Sequence, residues 1–125
     1  MQVDDYFQSL QSSIVRQAKL LSWEHTVDIR TTFEGFFKAK LYFADSSFLE
    51  CREYVNTKGE AIQKYSYSYH YQKGSDLIFR YDNTPHHPSV ATFPHHKHIP
   101  SRKIVAAAEP NVDEVLREIE SLVQD

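Results

Sequence analysis

The apolar residues of this chain change period twice, and that switching constrains the fold more than any other feature. Val3, Phe7, Leu10, Ile14, Ala18 and Leu21 recur at three- and four-residue steps and make one apolar stripe. The spacing predicts a helix over residues 4–21, with Asp4 and Asp5 at the positive end of its dipole. At Trp23 the period becomes two. His25, Val27, Ile29 and Phe33 alternate with Glu24, Thr26, Asp28 and Arg30, the pattern of a half-buried strand.

Period-two segments then follow one another across short turns. Phe37, Ala39, Leu41 and Phe43 share one face, Leu49, Cys51, Glu53 and Val55 the next, and Tyr65, Tyr67, Tyr69 and Tyr71 are expected to point one way on a fourth strand. Leu77 to Asp82 makes a fifth strand and Lys103 to Ala107 a short last one. Turns this short between consecutive strands imply antiparallel hairpins. After Pro110 the helical period returns over residues 112–123, opened by Asn111 as N-cap with Glu114 three residues on. The expected architecture is one α+β domain over residues 1–125. It has a single antiparallel meander of five or six strands, helices at both ends packed on it, and a proline/histidine-rich loop.

That loop holds five of the chain's seven histidines, His86, His87, His95, His96 and His98, among Pro85, Pro88, Pro94 and Pro100. Proline fixes φ and removes a donor, so the segment reads as neither helix nor central strand. Histidine changes charge near neutral pH and is the commonest metal ligand, so the loop is the first place to look for chemistry.

Composition narrows the choice of function. Three glycines supply no phosphate-cradling loop of the P-loop or Rossmann kind. A net charge of −3 weakens a nucleic-acid reading without excluding it, because the acids gather at the ends (Asp4, Asp5, Asp113, Glu114, Glu118, Glu120, Asp125) while residues 95–103 carry cations and no carboxylate. The lone Cys51 cannot form an internal disulfide and is expected to be a buried thiol in a reducing compartment. No signal peptide and no membrane-spanning apolar run is visible, so a cytoplasmic location without membrane contact is expected.

Glu53 is the anomaly, a carboxylate on the apolar face of the third strand. Such a group needs a partner, which Arg80 or a tyrosine hydroxyl could supply, or it has a raised pKa suited to general-base work. The histidine loop has three readings. A metal would draw on His86, His87, His95, His96, His98 and Asp82. Adjacent histidines on extended chain point apart, His96 and His98 share a face, and the spacing matches no zinc-finger or HExxH pattern. The loop is otherwise scaffolding, or an acid–base and phosphate-stabilising set for cleaving RNA without metal or cofactor. In the last reading Glu53, Arg80, His86, His96 and His98 are catalytic, Arg52, Tyr69 and Lys97 touch substrate, and Glu53, Arg80 and a loop histidine converge.

Four segments carry a resemblance: Leu49-Glu50-Cys51-Arg52-Glu53-Tyr54-Val55, Tyr67-Ser68-Tyr69-His70-Tyr71-Gln72, Phe79-Arg80-Tyr81-Asp82-Asn83-Thr84-Pro85-His86-His87-Pro88 and Thr92-Phe93-Pro94-His95-His96-Lys97-His98. With the late Glu109-Pro110 and the Val/Leu-rich helix after it, they resemble the TumE-type family of small prokaryotic proteins. That family includes a toxin component of type II toxin–antitoxin modules. The resemblance runs from about Phe36 onward and implies a cytosolic prokaryotic protein, toxin-like, encoded beside a helix-turn-helix antitoxin; RNA is the expected target only if the chain is an enzyme, on the chemistry of the histidine, arginine and glutamate residues. It supplies no catalytic residues of its own; the named candidates come from the chemistry of matched positions. A different class stays open: a non-catalytic protein-binding module whose histidine-rich loop docks a partner or holds a metal.

Overall fold

In the computed structural model, which describes residues 1–124, the two switches of period are the boundaries between helix and sheet. Asp125, counted above among the terminal acids, lies outside the described residues. The elements are α1 (Val3–Val15), β1 (Leu20–Ile29), β2 (Glu34–Phe43), β3 (Ser47–Asn56), β4 (Gln63–Lys73), β5 (Asp76–Asp82), β6 (His96–Ile99), β7 (Lys103–Ala106) and α2 (Val112–Leu122). The strands form one open sheet of seven in sequence order, β1 to β7, every neighbouring pair antiparallel.

Both helices cover the same face. Phe7 of α1 meets Phe37 of β2 with ring centroids 5.6 Å apart, and Tyr81 of β5 donates to Glu118 of α2 at 2.7 Å. Val3, Phe7, Leu10 and Ile14 from α1 and Val112, Val115, Leu116 and Ile119 from α2 close over Phe37, Leu41, Leu49, Tyr69, Tyr71 and Phe79. Each fully buried aliphatic or aromatic side chain stabilises by about 1.5–3 kcal/mol, so this layer holds the fold together. Gly35 permits the close approach of α1: a Cβ there would lie 2.8 Å from the Asp28 carbonyl oxygen and 3.1 Å from the Phe7 ring. At α2 the expected capping box is present, with the Asn111 side chain accepting from Glu114 N–H and the Glu114 carboxylate from Asn111 N–H.

Four expectations are corrected. The sheet has seven strands, not five or six, because His96–Ile99 is a strand between β5 and β7. Pro94 and Pro100 bracket it rather than interrupt it, so every residue within it has an N–H for the ladder. Helix α1 ends at Val15 rather than residue 21, since the chain must turn to bring Leu20 opposite Phe43, and Leu21 is left 71% exposed. Strand β1 is not half-buried: it is an edge strand, and only Leu20 and Trp23 are partly buried. The fourth is the tyrosine row, which breaks at its first member. A bulge between Tyr54 and Val55 of β3 and their partners Ser66 and Lys64 turns Tyr65 out against Tyr54 and brings Lys64 in beneath the helices.

Candidate functional site on the helix-free face

The sheet face opposite the helices is uncovered by secondary structure, and strand register arranges it in rows. One row runs Thr26, Lys38, Arg52, Ser68, Asp82 and His96 from β1 to β6. The next runs Glu24, Lys40, Glu50, His70, Arg80 and His98. At one flank the Phe36 and Tyr54 rings stack 4.0 Å apart, 7° from parallel. A groove of about 440 Å³ lies between, lined by Lys38, Arg52, Tyr54, Ser68, Arg80 and Thr84 among others.

Asp82 lies on β5 between the lining residues Arg80 and Thr84 and is only 3% exposed. Its Oδ1 lies 2.9 Å from His96 Nε2 and its Oδ2 lies 3.2 Å from His98 Nε2. The two Nε2 atoms are 3.1 Å apart. Oδ1 accepts from Thr84 N–H at 3.0 Å and Oδ2 from Arg80 Nε at 2.9 Å. Burial alone would raise the Asp82 pKa; the bonds from Arg80 and Thr84 and the charges of His96 and Arg80 outweigh it and lower it. His98 is pushed below the ordinary histidine value by burial, against the pull of Asp82 and with the help of His96 and Arg80.

His96 is 2% exposed, and its Nδ1 lies 2.9 Å from the Pro94 carbonyl oxygen. A carbonyl only accepts, so Nδ1 carries a proton and Nε2 faces Asp82. Segment 83–95 leads from β5 back to β6 and folds His87 against both rings, with centroids 4.9 Å from His96 and 5.8 Å from His98. His87, His96 and His98 each offer one ligand atom within 4.8 Å of the others, which makes them the residues able to hold a metal among those described.

The other candidate residues lie elsewhere. His86 is exposed, and its backbone N–H donates to the Thr84 carbonyl at 2.8 Å. His95 turns away to Tyr67, its Nδ1 2.9 Å from the hydroxyl, so each adjacent pair sends one ring to the cluster. Glu53 is on the helix side, 1% exposed. It accepts from Tyr6 at 2.5 Å and from Tyr69, with Lys64 Nζ 3.6 Å away. Lys64 donates onward to Tyr69 at 2.6 Å and to the Pro110 carbonyl at 2.7 Å. Burial first, then the Glu53 charge, raises the Tyr6 and Tyr69 hydroxyl pKa values, so both stay protonated as donors. Lys97 is on the helix side too, bound to Glu118 at 2.7 Å and lying over the Phe79 and Tyr81 rings. Arg52 is on the open face, paired with Glu50 at 2.7 Å.

Arg80, His96 and His98 are therefore brought together, joined by Asp82 and His87. Glu53 and Arg80 bond to separate sets of partners on opposite sheet faces, because Phe79 and Tyr81 of β5 point to the helices and Arg80 and Asp82 point away. Lys64 was not legible as a site residue, since a strand lysine ordinarily faces water.

A two-layer α+β protein that buries a carboxylate between imidazoles beside an open groove has the form of a small binding or catalytic domain. The chain matches the family described as Toxin TumE over residues 10–123 and belongs to that family. It is a toxin-type protein, for which an antitoxin is the expected partner. Comparison with curated proteins and with solved structures gave no significant match. No helix among the described residues is long and apolar enough to cross a membrane.

Proposed function

We propose that this toxin binds RNA along its helix-free face and cleaves phosphodiester bonds at the Asp82–His96–His98 centre. One observation carries the reading: a buried carboxylate between two imidazoles stands in the same strand-register row as Ser68, Arg52 and Lys38. Strands spaced about 4.8 Å apart put Lys38 about 14 Å from Asp82 along that row, a path for an extended single strand. Arg52 and Lys38, which line the groove, meet phosphates.

Charge placement supports this. The two helices, on the other face, carry six acids, Asp4 and Asp5 of α1 and Asp113, Glu114, Glu118 and Glu120 of α2, against the single cation Arg117. On the open face Lys38, Lys40, Arg52, Arg80 and Arg30 nearly balance Glu24, Asp28, Glu50 and Asp82, so modest, salt-sensitive affinity is expected rather than tight binding. Glu53, satisfied by two tyrosine hydroxyls and a lysine, is a structural residue in this reading. Family membership supports control by an antitoxin, of the helix-turn-helix kind, encoded beside the toxin.

The test is incubation of purified protein with single-stranded RNA. The wild type is expected to release fragments and Asp82→Asn to release none. Intact RNA across several sequences, from folded wild type that still arrests growth on expression, removes the reading.

A further inference from the structure

We propose that His87, His96, His98 and Asp82 form a binding site for a first-row divalent metal ion of the zinc class. The inference builds on the reading of this centre as the toxin's working site, yet its test needs no RNA.

Geometry carries it. Four ligands about 2.05 Å from a zinc-class ion stand about 3.3 Å apart in a tetrahedron, and six stand about 2.9 Å apart in an octahedron. The ligand atoms of His87, His96 and His98 lie within 4.8 Å of one another, and the His96 and His98 Nε2 atoms stand 3.1 Å apart, close to such an edge. The Asp82 carboxylate borders them, with Oδ1 2.9 Å from His96 Nε2 and Oδ2 3.2 Å from His98 Nε2. Three aggregated imidazoles and one carboxylate are the donor set that suits zinc, nickel, manganese or iron, and not the all-oxygen set of calcium or magnesium.

The outer contacts aim the rings: His96 Nδ1 is turned to the Pro94 carbonyl, which leaves Nε2 as the nitrogen pointing into the cluster. The outer contacts are those that hold metal ligands in place: a carbonyl on the far nitrogen of His96, and Arg80 and the Thr84 N–H on the carboxylate. His87 comes from the loop and closes the set from outside the sheet.

The experiment is calorimetric titration of the tag-free, chelator-treated full chain with zinc chloride, beside magnesium chloride. Zinc is expected to bind at one ion per chain with Kd at or below about 1 µM. It should raise the melting temperature by about 5–10 °C at a hundredfold excess over Kd. His87→Ala and His98→Ala, at positions more exposed than His96, should each weaken zinc by about tenfold or more. Millimolar magnesium should shift nothing. Zinc binding weaker than about 100 µM, or equal in wild type and His87→Ala, overturns the site. A chain that binds zinc but leaves RNA intact keeps this inference and removes the RNA reading; one that cleaves RNA in chelator and binds no zinc does the reverse.

Discussion

Asp82 Oδ1 and His96 Nε2 lie 2.9 Å apart in a pocket that exposes 3% of one residue and 2% of the other. Two groups so placed depend on each other. Asp82→Asn removes the negative charge while keeping the shape, and the amide can donate to His96 where the carboxylate could not. The variant should fold, losing about 1–3 kcal/mol through its weakened bonds to Arg80 and Thr84. RNA cleavage should fall by about two orders of magnitude or more. Denaturant melts and a cleavage assay on the same preparation check both.

On the opposite face, Glu53 and Lys64 form a buried ion pair at 3.6 Å, with side chains 0% and 4% exposed. Removing one charge strands the other, so Glu53→Gln and Lys64→Met should each cost about 3–5 kcal/mol. The double variant should cost clearly less than the sum, because neither charge is left alone. Urea melts of the four proteins give the coupling directly.

Asp45 joins the β2–β3 turn to the end of α2, accepting from Ser47 and from the backbone N–H of Gln124. Burial would raise its pKa; the bonds from Ser47 and Gln124 and the charge of Lys73 overcome that and lower it from 3.8 to about 2. A folded pKa below the unfolded one means the ionised form stabilises the fold above about pH 4, and that contribution fades as pH falls toward 2. Asp45→Asn should therefore cost about 1–2 kcal/mol at pH 7 and progressively less between pH 4 and pH 2. Melting the two proteins across that range tests the sign as well as the size.

Lys38 and Arg52 are exposed and lie opposite each other on the helix-free face. Lys38→Ala with Arg52→Ala should leave the melting temperature nearly unchanged and weaken RNA binding at every sequence. The slope of log affinity against log salt should become shallower by about 1.4, since each phosphate contact on a single strand contributes about 0.7. Unchanged binding by filter or fluorescence titration would move the RNA path off this face.

Much of this architecture was legible because period and capping are local. Asn111 and Glu114 announce α2, and the alternation from Phe37 to Val55 announces two strands and their shared inner face. What escaped was set by tertiary pairing. Helix α1 stops short of its own apolar stripe because Leu20 is claimed by β2. Strand β6 was hidden by the prolines at its ends, and the bulge that inverts Tyr65 and Lys64 leaves no mark in composition. The site was half legible for the same reason. Period-two logic placed His96 and His98 together and Glu53 on the apolar face of β3, but the expectation that a buried carboxylate takes Arg80 as its partner put Glu53 at the wrong site, since Lys64 and two tyrosines serve it instead. The face of a strand residue depends on which side the helices choose, and the sequence pattern of β5, with both faces mixed, does not declare it.

Induced expression of the wild-type chain beside His98→Ala, at matched protein levels and without antitoxin, tests the RNA-cleaving centre most directly. His98 is the cluster ring with 28% of its side chain exposed, so its loss should spare folding. Wild type should arrest growth and fragment cellular RNA, while His98→Ala leaves growth and RNA intact. Growth arrest with intact RNA, or equal toxicity of the two proteins, would contradict it.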